Sequence, residues 1–144
     1  MLSRKDEEKN LLKRAERFIE TAEYQLSRGF YDLAVFSLEQ ALQLFLKAKL
    51  LANGVDYPRT HSVRALLEAL MEVSQEDRSV IERILDVYLM DLGVLEDAYI
   101  TSRYVMREFR REEAERLARV LMEATKNLAW NSGEESVTEE GSIR

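Results

Sequence analysis

The sequence predicts an all-α fold, an antiparallel helical bundle of about four long helices plus one short helix. Three observations carry that expectation. Residues 30–53, FYDLAVFSLEQALQLFLKAKLLAN, contain no Pro and no Gly and are rich in Leu and Ala, which are strong helix formers. Pro occurs once and Gly five times in 144 residues, so turns are few and helices long. No segment alternates apolar and polar residues over the length of a strand.

The stretch 30–53 organises the rest. With side chains placed at about 100° per residue, Phe30, Ala34, Ala41, Phe45 and Ala48 fall together. Val35, Leu38, Leu42, Leu46 and Leu50 widen that surface on one side, and Leu33, Leu44 and Leu51 on the other. Asp32, Glu39, Gln40, Gln43 and Lys47 form a polar strip, interrupted by Phe36, which is thereby a candidate interface residue. The apolar arc exceeds the roughly 100° stripe of a surface helix, so several neighbours should wrap this one. The small side chains of Ala34, Ala41 and Ala48 recur every seventh residue and admit a close helix.

The other elements follow in order. A first helix is expected over residues 2–28, with Leu11, Ala15, Phe18, Ala22 and Gln25 on one line and Leu12, Ile19 and Leu26 on another. Gly29 supplies the turn, and so short a connection sets the first two helices antiparallel. Asn53-Gly54 stops the central helix and Pro58 extends the loop. A short helix is expected over 62–73, with Val63, Leu66, Leu67 and Leu70 on one face. Ser74-Gln75-Glu76-Asp77 resembles a capping box and opens a fourth helix over 75–104. Its inward residues are Val80, Ile81, Ile84, Leu85, Tyr88, Leu92, Leu95, Ala98 and Tyr99. Gly93 inside it marks a kink or a close approach. A last helix is expected over 112–131, with Ala114, Leu117, Ala118, Leu121, Ala124, Thr125 and Leu128 inside and Trp130 near its end. Residues 1–131 read as one domain, and the polar residues 132–144 as a disordered tail.

Composition narrows the function. Hydrophobic residues make up 46 % and charged residues 33 %, as in a soluble chain. No apolar run approaches a membrane span, and the charged start MLSRKDEEKN lacks a signal-peptide core. The expected location is the cytoplasm, with no membrane partner. There is no Cys, which removes thiol catalysis and Cys-ligated zinc. The net charge of −6 is half in the tail, where four Glu and one Arg give −3, leaving −3 on the body. An acidic body argues against duplex DNA as a partner. Glu-x-x-His pairs of a di-metal bundle are absent, because Pro58 stands three residues before His61, the sole histidine. No metal and no cofactor are expected.

The order of three motifs resembles the HEPN family of small helical domains. They are Gln40-Ala41-Leu42-Gln43-Leu44-Phe45-Leu46-Lys47-Ala48, then Thr60-His61 before the short helix, then Tyr99-Ile100-Thr101-Ser102-Arg103-Tyr104. Gln43 stands where the family commonly has Glu, and Val105 where it has Pro. The resemblance implies a homodimer that works beside a small nucleotidyltransferase, as in toxin–antitoxin pairs, and a nucleotide or RNA as ligand. It also implies, for many members, a ribonuclease built on Arg-x4-6-His. At that spacing before His61 stand Gly54, Val55 and Asp56, and after Arg103 stand Glu108, Phe109 and Arg110. The pair is missing, and Arg alone exchanges no proton near neutrality.

The candidate nucleotide or anion site is therefore Arg103, Tyr104, Arg107, Tyr99 and His61, with no catalytic residue assigned. Arg donors match phosphate oxygens, and tyrosine rings stack on bases. Each has a plainer reading: His61 as a helix-entrance residue bonded to backbone, the tyrosines as core, and Arg103, Arg107, Arg110 and Arg111 as a charge run self-paired with Glu108, Glu112 and Glu113. Two function classes follow, a non-catalytic binding module and a divergent ribonuclease without the usual motif. A tetratricopeptide-like reading of residues 29–42 ranks well below the bundle, because no second copy is found.

Overall fold

The computed structural model describes residues 3–104 and 107–128, with only the backbone for 101–104. It holds α1 (Arg4–Ser27), α2 (Tyr31–Ala52), α3 (Val63–Val73), α4 (Arg78–Val87), α5 (Leu89–Tyr104) and α6 (Arg111–Asn127). No strand occurs among the described residues, and the fold is all-α. Trp130 and the expected tail lie outside the described residues, as do the last residues of the helix expected over 112–131, whereas α6 ends within them at Asn127.

Helix boundaries follow local chemistry. Ser3 caps α1, its side chain accepting from the Asp6 N–H, and Ser62 caps α3 by accepting from the Ala65 N–H. Between α1 and α2, Gly29 adopts φ +77°, a conformation in which other residues are strained. α2 is the core helix. Ala34, Val35, Ala41, Leu42, Phe45, Leu46 and Leu50 are fully buried, and α1, α3, α5 and α6 all pack on α2, α1 most extensively.

Three expectations need adjustment. The fourth helix is two elements, α4 and α5, separated at Tyr88 (φ −114°, ψ 22°). The break falls where the Tyr88 hydroxyl bonds Glu123 of α6, so a tertiary anchor marks it and not Gly93. α4 also begins later than residue 75. Ser74 and Asp77 do bond each other, the Asp77 N–H donating to Ser74 Oγ and that hydroxyl to Asp77 Oδ2. They close a turn that precedes the helix. Finally, the polar strip of α2 does not face water as a whole. Glu39 is 0 % and Gln43 4 % exposed, and Phe36 is half-buried against Tyr99.

α5 and α6 are tied at the outer corner by Arg116, whose Nε and Nη2 donate to the two Asp91 oxygens at 2.7 and 2.9 Å. Arg83 joins Tyr88 on Glu123, 2.8 Å away. Gly93 is helical, and a Cβ added there would meet nothing within 4 Å. Gly93→Ala should therefore stabilise the protein by about 1 kcal/mol through the lower entropy of the unfolded chain. Urea unfolding at neutral pH checks this, and a loss of stability would mean that the backbone at 93 needs glycine.

Candidate functional site

The start of α3 meets the α2–α5 seam, and there the chemistry-bearing side chains converge. Antiparallel packing of α2 and α5 puts Phe36 level with Tyr99 and Glu39 level with Glu96. The loop before α3 then brings His61 onto Tyr99. The His61 and Tyr99 rings stack at 4.3 Å between centroids and 22° between planes. Tyr99 stacks in turn on Phe36 at 6.4 Å and 14°. The Tyr99 hydroxyl lies 3.3 Å from His61 Nε2. It approaches across the ring face, whereas a hydrogen bond to a ring nitrogen lies near the ring plane. Stacking is the better description of the contact. His61 is the exposed end of this three-ring pile.

Glu96 fixes the loop that carries His61. Its Oε2 accepts from Ser62 Oγ at 2.8 Å, from the Arg64 backbone N–H at 3.0 Å and from Arg64 Nε at 3.1 Å, while Oε1 accepts from Arg64 Nη2 at 2.9 Å. A carboxylate from α5 thus sits at the N-terminus of α3, where free N–H groups and the helix dipole favour negative charge. Burial pushes the Glu96 carboxyl up, but the bonds from Arg64 and Ser62 outweigh burial and hold it below its ordinary value.

Glu39 is the opposite case. Burial is the largest effect on it and pushes its carboxyl up to about 7, helped by the facing Glu96 charge and countered by bonds from Gln43 and Gln40 and by Lys47. Gln43 Nε2 lies 2.5 Å from one oxygen and Gln40 Nε2 2.9 Å from the other. Both partners are neutral amides, able to accept from the acid form when the amide is turned over. Lys47, one turn beyond Gln43, is lowered by burial, and its Nζ sits 5.2 Å over the Tyr57 ring.

The five residues expected to form a site fall into three groups. His61 and Tyr99 are brought together as described. Arg107 has partners of its own: its guanidinium lies 4.2 Å over the Phe109 ring, and Nη2 is 3.5 Å from Glu113. Arg111 likewise pairs with Glu115 at 3.6 Å, and Arg110 donates its N–H to Glu113. The side chains of Arg103 and Tyr104 lie outside the described residues. Sequence reading missed Glu39, Glu96 and Arg64. The one available signal was a carboxylate and an amide one turn apart, Glu39 and Gln43, on a helix too apolar to leave much face for water.

Other features offer less. A cleft of about 170 Å³ between α1 and the far end of α2 has an apolar floor of Leu12, Phe45 and Ala48. Its cation, Lys49, is 3.5 Å from Asp77. No group of three or more metal-ligating side chains occurs among the described residues. None of the helices described is long and apolar enough to cross a membrane.

The Glu96 clamp generates a stability prediction. Glu96→Gln should cost about 2 kcal/mol at pH 7, from the loss of charge-assisted bonds to Arg64 and the α3 backbone. Because the folded-state carboxyl is held below its ordinary 4.5, the wild-type advantage is present above that value. It disappears as pH falls through the lower folded value. Urea titrations at pH 7 and pH 3 check both points.

A family model described as "HEPN domain" matches residues 8–127. Comparison with curated proteins gives no match, and neither does comparison with solved structures.

Proposed function

Because the chain belongs to the HEPN family, we propose that it is a binding module without nuclease activity of its own, partner to a small nucleotidyltransferase in a toxin–antitoxin-like pair. The observation that carries this reading is the state of the sole histidine. His61 is stacked on Tyr99 and has no Arg at the spacing of the family's ribonuclease motif. Arg64, three residues on, has its guanidinium committed to Glu96. Acid–base cleavage of RNA needs a proton-exchanging group aimed at the reacting hydroxyl. A ring held face-on by a tyrosine suits stacking instead.

Recognition of a nucleotide or RNA would use the exposed His61 face, with Tyr99 behind it and Arg103, Tyr104 and Arg107 as further contacts. Base stacking on such rings is worth about 1–3 kcal/mol. The body's net charge of −3 provides no general attraction, so binding is local and weak. The exposed apolar residues Leu33 and Ile100 flank the same α2–α5 seam and favour a symmetric homodimer formed there.

Three measurements test this. Purified protein should leave structured RNA intact, and His61→Ala and Arg103→Ala/Arg107→Ala should each weaken nucleotide binding several-fold. Cleavage that vanishes in His61→Ala would instead establish the divergent ribonuclease. Light scattering should give twice the 16.8 kDa chain mass, and Leu33→Asp should reduce it to the monomer. A wild-type monomer would remove the dimer from the proposal.

A further inference from the structure

We propose that Glu39 and Glu96 form a proton-linked latch, in which the α2–α5 seam stays closed while Glu39 is seated as a neutral acid, and its ionisation beside the Glu96 anion loosens that seam together with the start of α3. The latch stands whether or not the ring pile receives a ligand.

The argument begins with burial. Glu39 is 0 % exposed, and a carboxylate so placed needs a cation or several donors. Its hydrogen-bond partners are the Gln40 and Gln43 amides. The charged groups that face it are Lys47 from α2 and Glu96 from α5. Lys47 acts only as the weakest of these influences, and its ammonium sits over Tyr57. From α3, Arg64 is taken by Glu96. Glu96 is the anion of the pair, because four donors hold it so. Two carboxylates facing each other do not both ionise cheaply when one is wholly buried, so the one with neutral partners keeps the proton.

Loosening follows from where Glu96 is attached. Moving away from an ionised Glu39 means moving away from the α3 N-terminus and from Ser62, next to His61. The sign is fixed by linkage. The folded-state value is about 7 against an ordinary 4.5, so the seated state is strongest below the ordinary value. It weakens as pH rises towards the folded one and is level above it. Within that window the seated state loses up to about tenfold per pH unit relative to the opened one.

The test uses the full chain. Amide hydrogen exchange of Arg64, Ala65 and Leu66 is measured between pH 5 and 7 and corrected for intrinsic rates. Wild type should lose protection by up to about tenfold per pH unit, and Glu39→Gln should be flat. Carboxyl carbon shifts in wild type should show Glu39 titrating near 7 and Glu96 below its ordinary value. A Glu39 midpoint near 4.5, a slope retained in Glu39→Gln, or protection independent of pH in wild type would each overturn the latch. The carboxyl titration decides the matter if Glu39→Gln does not fold.

Discussion

A helix wrapped on nearly every side has little face left for water, and this constraint governs the molecule. α2 meets α1, α3, α5 and α6, so its apolar arc supplies more of the core than any other helix and its few polar side chains must find partners within the protein. Glu39 accepts from both Gln40 and Gln43, Ser37 donates to Gln25 of α1 at 2.7 Å, and Lys47 lies over Tyr57. The polar chemistry of the seam therefore arises from the same packing that makes the core.

The sequence made α2 legible because its evidence is local. Composition and the seven-residue alanine line identified a wrapped helix, and Ala34, Ala41 and Ala48 are buried as that reading requires. The glycine after α1 and the Asn-Gly pair after α2 marked boundaries by backbone chemistry alone. What escaped was what depends on contacts between distant residues. A polar strip reads as solvent-facing until another helix covers it, and Glu39 is covered. The Glu96–Arg64 clamp joins residues 32 apart, and nothing at either position announces it. The break at Tyr88 was invisible for the same reason, since its anchor Glu123 lies 35 residues on.

The arginine-rich junction before α6 shows how a run of charge can pair within itself. The Arg107 and Arg111 guanidinium groups pair with Glu113 and Glu115 of α6, and the Arg110 backbone N–H donates to Glu113, where acidic residues also complement the helix dipole. The aromatic pile at the start of α3 is less conspicuous in sequence, because its three rings come from three separate elements. It is nevertheless the place where an exposed ring is backed by a fixed structure.

The clamp on α3 has a consequence for how the protein holds together in time. α3 has 11 residues, too short to persist as an isolated helix, and one of its first free N–H groups is bonded from another element. The entrance of α3, the His61 loop and the middle of α5 therefore form one cooperative unit. A fluctuation that lifts α5 from the bundle also unravels the first turn of α3 and scatters the ring pile, while the α1–α2 hairpin, with its own extensive contact, stays folded.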